Sequence, residues 1–414
     1  MRISVLLKRE PFGMILENTL VRYFKSRNKR IHAVRWFSRR PAKTGLPNSQ
    51  FWLCNPYLNS IFLANVSKEV VRPILLEYSR SHIWWRRPFQ YLYVHLALHK
   101  PFIEMLCGGG ISLTPGLQNA RDLLILGGNH HLRILDWGSK TCAVILKHGE
   151  NPDFIKNEVS VRTSNSFLPC PQITEIADDS SWYVEQLIFG TPVNRLKNAI
   201  ESEAVVNKLI PDLLRLHEKS LEIVDREQYA KEILDRIMSR IPAISRLNKA
   251  IADNVSDLSL ILFKLLARHK MARVALVQCH GDFHPANIMK DGEQVWLIDW
   301  EYSCKRQLSY DSLVYGLSSR FPEGLFERIC QAIRAGKIPT SFDLNGFSGG
   351  ILIETTSYPE TLGLFLLEEL DLLVMENANP LLFHLSPVLS SFLIEATKTI
   401  SMLQNTQCRP ITIP

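Results

Sequence analysis

The side chains that point most directly to chemistry lie in VQCHGDFHPANIMKDGEQVWLIDWEYS, residues 277–303. This stretch places two His, three Asp and an Asn between apolar runs that are typical of strands. A buried strand–turn–strand unit has no structural need for so many polar and charged groups. We therefore expect the turn to bind or process a charged ligand.

Three of these residues offer oxygen ligands. A hairpin is predicted to bring Asp282, Asn287 and Asp299 together, and two carboxylates with an amide oxygen suit Mg²⁺. The spacing His280-x-Asp282-x-x-x-x-Asn287, followed by an Asp at a strand end, matches the working parts of kinase phosphoryl transfer. The alternative is that these Asp and Asn side chains only cap the turn.

The segment HGDFHPANIMKDGEQVWLIDWEYS resembles the Brenner-type motif of the aminoglycoside phosphotransferase and choline kinase superfamily. The resemblance extends over about residues 121–414 and does not cover residues 1–108. It implies a kinase that phosphorylates an alcohol group. It also implies a catalytic loop in which Asp282 orients the acceptor hydroxyl, His280 structures the loop, and Asn287 and Asp299 bind Mg²⁺.

The elements before this motif read as a small lobe. A helix over 151–164 follows the third of five predicted strands, at 121–128, 131–137, 141–147, 171–179 and 181–190. The third strand ends in Lys147, which is expected to bind the α- and β-phosphates and to pair with Glu158 on the helix. The alternative is an exposed strand-end Lys and a solvated helix Glu.

Other nucleotide contacts follow from the same resemblance. Gly127 and Gly128, in the turn GGNHH, resemble a short loop over the phosphates, where glycine permits close backbone approach. Residues 185–187 (Glu185, Gln186 and Leu187) are expected to offer backbone groups to adenine. Asp311 resembles the residue that braces the catalytic loop.

The predicted fold class is α+β, a protein-kinase-like bilobal fold. It comprises an N-lobe at 109–190, with a five-stranded antiparallel sheet, and a helical C-lobe at 191–414. ATP, with GTP as the alternative, and Mg²⁺ are expected between the lobes. The acceptor is the hydroxyl of a small molecule or glycan: an amino sugar, an amino alcohol or a sugar.

Residues 1–108 form a basic extension, predicted to be mostly helical, with helices over 67–81 and 88–100 and a boundary at 107–116. Residues 1–120 carry 18 Lys and Arg against 5 Asp and Glu, a net charge of +13, in a chain of net charge +7. The basic, aromatic stretch 22–43 suits nucleic acid or an anionic membrane surface. The alternatives are a solvated basic face and a packing surface.

The net charge of the residues after residue 120 is negative, which suits a cationic acceptor. The C-terminal acids Glu354, Glu368, Glu369 and Asp371 are candidates for a substrate wall, although EELD on a helix is also typical of an exposed surface. The scattered Cys residues, with no C-x-x-C pair, favour reduced thiols and a cytoplasmic protein.

No run of eighteen uncharged apolar residues predicts a membrane span, and the N-terminal apolar run is too short for a signal peptide. Two other function classes stay open. One is a nucleotide-binding pseudokinase or adaptor that recruits partners through residues 1–108. The other is a metal-dependent phosphoesterase.

Overall fold

The computed structural model describes residues 2–27, 31, 33–38, 48–80, 84–268, 272–335 and 358–406. The chain divides into two compact units. The first contains residues 1–159 and 171–189, and the second contains residues 160–170 and 190–414. No helix in the described ranges is long and apolar enough to cross a membrane.

An antiparallel sheet forms the centre of the first unit. Among the described residues it has nine strands in the order β1-β4-β2-β3-β5-β6-β7-β9-β8. The strands are β1 Ala33–Phe37, β2 Gln50–Asn55, β3 Ser60–Leu63, β4 Gly110–Thr114, β5 Leu123–Gly127, β6 His131–Asp136, β7 Thr141–Leu146, β8 Ile173–Ile176 and β9 Trp182–Gln186.

The five predicted strands are β5 to β9, and they are neighbours in the sheet. The helices of this unit are α1 Ile3–Arg9, α2 Phe12–Ser26, α3 Lys68–Leu76, α4 Arg87–Ala97, α5 Lys100–Ile103 and α6 Asp153–Ser164, whose last turn belongs to the second unit. Asn151 Oδ1 accepts a hydrogen bond from Asp153 N at 3.0 Å, as its predicted capping role requires.

The interpretation of residues 107–116 as a boundary is wrong. Part of this stretch is β4, which pairs with both β1 and β2 inside the sheet. Its first residue is glycine because a Cβ at Gly110 would lie 2.0 Å from the Trp52 carbonyl oxygen. Since β3 pairs with β5, one continuous sheet crosses the predicted boundary between residues 108 and 109.

The second unit is mainly helical. Its core is formed by side chains of α9, α10, α13 and α14, of which Ile237, Leu262, Phe365 and Phe392 are fully buried. The helices are α7 Ala199–Asn207, α8 Ile210–Ser220, α9 Arg226–Leu247, α10 Lys249–Leu266, α11 Tyr310–Gly316, α12 Leu325–Arg334, α13 Tyr358–Asn377 and α14 Pro387–Thr406.

Two small sheets position the motif within the second unit. Across the described residues, each sheet has three strands. The first contains β10 Thr191–Pro192, β13 Ile288–Asp291 and β14 Gln294–Leu297, and the second contains β11 Glu222–Asp225, β12 Arg273–Cys279 and β15 Cys304–Gln307.

Candidate active site

The motif residues lie on two loops that flank a hairpin. β13 pairs with β14, whereas β12 pairs with β11 and β15. Asp282 and Asn287 therefore lie on the loop between β12 and β13, and Asp299 follows β14. The predicted hairpin is real, but it begins after Asp282 and does not contain it. It places Asn287 and Asp299 at the same end, where Ile298 N donates to Asn287 O at 3.0 Å.

Asn287 is joined directly to Asp282. Its amide nitrogen donates to Asp282 Oδ2 at 2.7 Å and to the Asp282 carbonyl oxygen at 3.0 Å. Both partners are acceptors, which fixes the orientation of the amide. The Asn287 amide oxygen consequently points away from Asp282, as a metal ligand at this position would need.

Asp299 adopts a left-handed backbone conformation, with φ 65° and ψ 59°. This region is uncommon for residues other than glycine, although Asp and Asn tolerate it better than most. The conformation turns the chain sharply between β14 and the 3₁₀ turn Trp300–Tyr302. Left-handed residues of this kind cluster at functional sites.

His280 holds the loop together. It is fully buried, its Nε2 lies 3.0 Å from the Ile298 carbonyl oxygen, and its Nδ1 accepts from Asp282 N at 3.1 Å. These partners specify the neutral tautomer with the proton on Nε2. Burial lowers the pKa of His280, which agrees with a neutral ring. The ring therefore links the Asp282 loop to the strand that leads to Asp299.

Asp311 braces the same loop from α11. Its carboxylate is fully buried and accepts hydrogen bonds from His280 N at 2.6 Å and Gly281 N at 3.0 Å. Gly281 has φ +86°, and a Cβ there would lie 2.2 Å from the Tyr302 carbonyl oxygen. The loop can approach Asp311 in this way only with glycine at position 281.

Arg320 is a site residue that the sequence analysis missed. Its Nε lies 2.5 Å from Asp282 Oδ1, and its Nη1 lies 2.8 Å from Glu369 Oε2. Its Nη2 donates to the Gly281 carbonyl oxygen. The guanidinium thus fixes both the side chain and the backbone of the loop. Its spacing from Asp282, 38 residues along the chain, belongs to no local motif.

The environment of Asp282 keeps it ionised. Burial alone would raise its pKa, but the charge of Arg320 and the hydrogen bond from His284 outweigh burial and hold the pKa below its usual range. His284 Nε2 lies 3.4 Å from Asp282 Oδ2. A carboxylate of such low pKa is a weak base, so it is suited to orienting a hydroxyl rather than removing its proton early.

Two of the C-terminal acids proposed as a substrate wall are buried structural partners. Glu369 is 1% exposed and binds Arg320 and the Tyr310 hydroxyl. Glu368 accepts from the Tyr229 hydroxyl at 2.8 Å and from Gln307 N at 2.9 Å. Asp371 pairs with Arg236 and Arg240. Glu354 lies outside the described residues.

In the first unit, Lys147 directly follows β7 and is fully buried. Its ammonium lies 2.6 Å from Glu10 Oε1 and 2.7 Å from the Asn129 carbonyl oxygen. Glu10, between α1 and α2, was not anticipated as a partner. Burial raises the pKa of Glu10 although Lys147 opposes the shift. Glu158 is also buried, on α6, and its predicted pairing with Lys147 stays a prediction.

The glycines of the turn GGNHH have packing reasons of their own. A Cβ at Gly127 would lie 2.6 Å from Ile3 Cγ1, and one at Gly128 would lie 2.5 Å from the His131 carbonyl oxygen. The next residue, Asn129, accepts from Arg9 Nη1 at 3.1 Å. The N-terminal segment is therefore packed onto the predicted phosphate loop.

The predicted adenine-binding residues lie at the end of β9. Gln186 N donates to the Gln172 carbonyl oxygen at 2.9 Å, and Leu187 N donates to the Lys140 carbonyl oxygen at 3.0 Å. Glu185 is buried and pairs with Cys142 across the sheet. The two amides thus already have partners within the first unit, and adenine binding here stays a prediction.

The aromatic side chains of the basic stretch 22–43 pack inside the first unit. Tyr23 and Phe24 are buried, and Tyr23 packs edge-on against Trp182 at 5.5 Å. Trp36 packs edge-on against Phe12 at 5.9 Å. These contacts favour the packing-surface alternative for the aromatic residues. Residues 28–30, 32 and 39–43 of the stretch lie outside the described ranges.

Residues 184–315 match the model of the choline/ethanolamine kinase family. This segment contains Asp282, Asn287, Asp299 and Asp311. The match confirms the resemblance to the choline kinase and aminoglycoside phosphotransferase superfamily, and with it the predicted enzyme class, a phosphotransferase with an alcohol acceptor. Together with the antiparallel sheet and the helical second unit, it confirms the kinase-like fold class.

Several solved structures are similar to this chain at low identity. A choline/ethanolamine kinase family protein from Mesorhizobium loti is 17% identical, with 78% of this chain and 95% of that chain covered and a TM-score of 0.38. Choline kinase from Cryptosporidium parvum is 11% identical, with 68% of this chain and 88% of that chain covered and a TM-score of 0.42. Choline kinase from Streptococcus pneumoniae is 15% identical, with 67% of this chain and 92% of that chain covered and a TM-score of 0.42. No curated protein sequence matches the chain.

Proposed function

We propose that the chain transfers the γ-phosphoryl group of ATP to the hydroxyl of a small amino alcohol of the choline or ethanolamine type. The observation that supports this most strongly is the contact of Asn287 with Asp282, together with the position of Asp299 at the same end of the adjoining hairpin. It lies within the segment that matches the choline/ethanolamine kinase family. An amino sugar or sugar acceptor would use the same residues.

Asp282 is assigned to the acceptor. Its carboxylate is held by Arg320, Asn287 and His284, so its direction is fixed before an alcohol arrives. Phosphoryl transfer proceeds through a loose transition state, in which positioning matters more than strong basicity. The ionised Asp282 accepts a hydrogen bond from the alcohol. It receives the alcohol proton as the new P–O bond forms and the bond between the γ-phosphorus and the bridging oxygen breaks, which releases ADP.

Asn287 and Asp299 are assigned to Mg²⁺. The donor set fits, because both side chains offer hard oxygen ligands, and the Asn287 amide oxygen is turned away from Asp282. The hydrogen bond from Ile298 N to the Asn287 carbonyl oxygen keeps the two loops in register. Bound Mg²⁺ would neutralise charge on the nucleotide phosphates.

Lys147 remains the proposed ligand of the α- and β-phosphates. Its burial against Glu10 gives specific support to the second candidate function, the pseudokinase or adaptor without phosphoryl transfer, because this ammonium is not available to a phosphate while Glu10 covers it. The intact oxygen ligands of the second unit favour the kinase. The phosphoesterase alternative gains no support from these contacts.

The test is a screen of the full-length protein with Mg·ATP against choline, ethanolamine, amino sugars and sugars, with products identified by mass spectrometry. A phosphorylated amino alcohol is expected. If only a sugar is phosphorylated, the acceptor is a sugar and not an amino alcohol, and the proposed phosphoryl transfer still holds. Absence of any product, with nucleotide binding measured directly and found normal, would favour the nucleotide-binding pseudokinase or adaptor.

A further inference from the structure

Helix α4 and its flanks present large apolar side chains to solvent. Trp84 is 77% exposed, Phe89 69% and Leu92 56%. At helical spacing, Trp85, Phe89 and Leu92 share one face, and Trp84 precedes them. We define the apolar patch by these four exposed residues, Trp84, Trp85, Phe89 and Leu92.

The opposite face of α4 already has its core contacts. Val94, Ala97 and Leu98 are buried at helical spacing. A helix that is apolar on both faces is normally buried on both. Within the described residues, the outer face of α4 therefore has no packing partner. The residue types on this face indicate which kind of surface it binds.

Cationic residues border the apolar patch. Arg86 and Arg87 are exposed between Trp85 and Phe89, and the Arg86 guanidinium lies over the Trp85 ring at 5.1 Å. Residues 84–105 contain three Lys and Arg and a single acid, Glu104. Tryptophan with arginine beside exposed aliphatic side chains is the composition of helices that lie in an anionic membrane interface.

We infer that the apolar patch binds the surface of an anionic phospholipid bilayer, with the aromatic and aliphatic side chains in the acyl boundary and Arg86 and Arg87 at the headgroups. The net charge of +13 on residues 1–120 complements such a surface. In a two-fold symmetric dimer through the patch, the positive charges of the two copies would repel each other. An anionic bilayer is therefore the better binding partner.

Co-sedimentation of the full-length protein with vesicles tests this inference. Wild type should bind vesicles that contain phosphatidylglycerol, bind pure phosphatidylcholine vesicles at least tenfold less, and be released by high salt. Replacing Arg86 and Arg87 by Gln should weaken binding about fivefold per charge. Trp84→Ser with Phe89→Ser should abolish it.

The matched control is Ile200→Ser with Phe383→Ser, which removes two exposed apolar side chains of the second unit and should leave binding unchanged. If wild type fails to bind any vesicle, or if the patch variants bind as well as wild type, the inference is overturned. A wild-type dimer that the patch variants dissociate, without vesicle binding, would assign the face to a second copy instead.

A separate set of contacts concerns the N-terminal segment at residues 3–12, which we call the strap. Ile3 fills the space at Gly127, Arg9 binds Asn129, and Glu10 pairs with Lys147. The following helix binds the residues on both sides of Lys147: Thr19 Oγ1 accepts from His148 N at 2.8 Å, and Arg22 donates to the Leu146 carbonyl oxygen.

We propose that the strap is autoinhibitory, an inference that rests on the proposed function. Glu10 neutralises Lys147 and seals it from solvent, so that a nucleotide phosphate and the Glu10 carboxylate compete for one ammonium. Productive Mg·ATP binding then requires the strap to move away, and the free energy of that opening reduces the apparent affinity.

Glu10→Gln keeps the side-chain shape and removes the competing charge. It should tighten Mg·ATP binding by at least about tenfold, whereas Glu69→Gln, an exposed acid on α3, should not. In wild type, Mg·ATP should speed amide hydrogen exchange of residues 3–10. Unchanged or weaker nucleotide affinity in Glu10→Gln, or unchanged exchange in nucleotide-bound wild type, would overturn the strap proposal.

The binding measurement also separates this proposal from the proposed function. Tighter nucleotide binding in Glu10→Gln without phosphorylation of any alcohol would support the autoinhibitory role of the strap and contradict the proposed kinase activity. Phosphorylation of an alcohol at equal rates by wild type and Glu10→Gln, measured with Mg·ATP well below saturation, would keep the kinase assignment and remove the strap.

Discussion

Arg320 holds Asp282 through an ion pair of 2.5 Å between Nε and Oδ1, and the same guanidinium is held by Glu369. Removal of Arg320 would leave two largely buried carboxylates without their common partner. For Arg320→Ala we therefore expect turnover to fall on the order of 100-fold. Folding stability should fall by roughly 3–5 kcal/mol.

The pH–rate profile of Arg320→Ala tests whether the loss of turnover comes from the changed environment of Asp282. Burial raises the pKa of Asp282, and removal of Arg320 takes away the strongest influence that opposes burial. The pKa should therefore rise relative to wild type, and the acidic limb of the pH–rate profile should move to higher pH. Arg320→Lys should restore part of the lost activity. Arg240→Ala, which removes an arginine paired with Asp371 on the same helix as Glu369, is the control and should leave the limb in place. An unshifted limb in Arg320→Ala would contradict this role.

Asp299→Asn tests the metal assignment. Asn tolerates the left-handed conformation of Asp299, so the fold should be retained. Loss of one anionic ligand should raise the Mg²⁺ concentration that is needed for half-maximal turnover by at least about tenfold. Asp291→Asn, an exposed acid at the end of β13, is the matched control. Equal Mg²⁺ requirements for wild type and Asp299→Asn would rule out the assignment.

Gly127→Ala tests the packing of α1 on the predicted phosphate loop. The new methyl group would lie 2.6 Å from Ile3 Cγ1, so we expect a loss of roughly 1–3 kcal/mol in the free energy of unfolding, measured in urea. In the double variant with Ile3→Ala the two losses should be less than additive, because the smaller side chain removes the clash. Full additivity would mean that the two residues are not in contact.

Glu368 should make stability depend on pH. Burial raises its pKa to about 7, despite hydrogen bonds from Gln307 and Tyr229 that lower it. Because the folded state favours the protonated acid, the stabilisation is complete below the unfolded pKa of 4.5 and is lost as pH rises towards 7. The loss is roughly 3 kcal/mol.

Urea unfolding of wild type and Glu368→Gln at about pH 4 and about pH 8, which bracket the transition, measures this effect. Wild type should lose stability relative to the variant between the two conditions. The difference between the two proteins should stay constant if Glu368 titrates at its ordinary pKa. A constant difference would therefore contradict the raised pKa.

The parts of the site that were predictable from sequence are local in the chain. His280, Asp282, Asn287 and Asp299 lie within twenty consecutive residues, so their types and spacing identify the loop. Five short apolar runs separated by turn residues likewise indicated β5 to β9, because strand and turn signals are short-range.

The parts that were missed depend on tertiary contacts. Glu10 reaches Lys147 across 137 residues, and Arg320 reaches Asp282 across 38. Neither carries a local pattern that marks its partner. β4 was hidden for a different reason. Its glycine reads as a turn signal, yet it is required by close packing against the Trp52 backbone in the sheet.

Phosphoryl transfer by wild type and by Asp282→Asn tests the central claim most directly. Each protein is given Mg·ATP with choline or ethanolamine, and nucleotide affinity is measured in parallel. Wild type should phosphorylate the alcohol, and Asp282→Asn should lose at least about 100-fold in rate with nearly unchanged nucleotide affinity. Equal transfer rates for the two proteins would contradict the assignment of Asp282 as the residue that orients the acceptor.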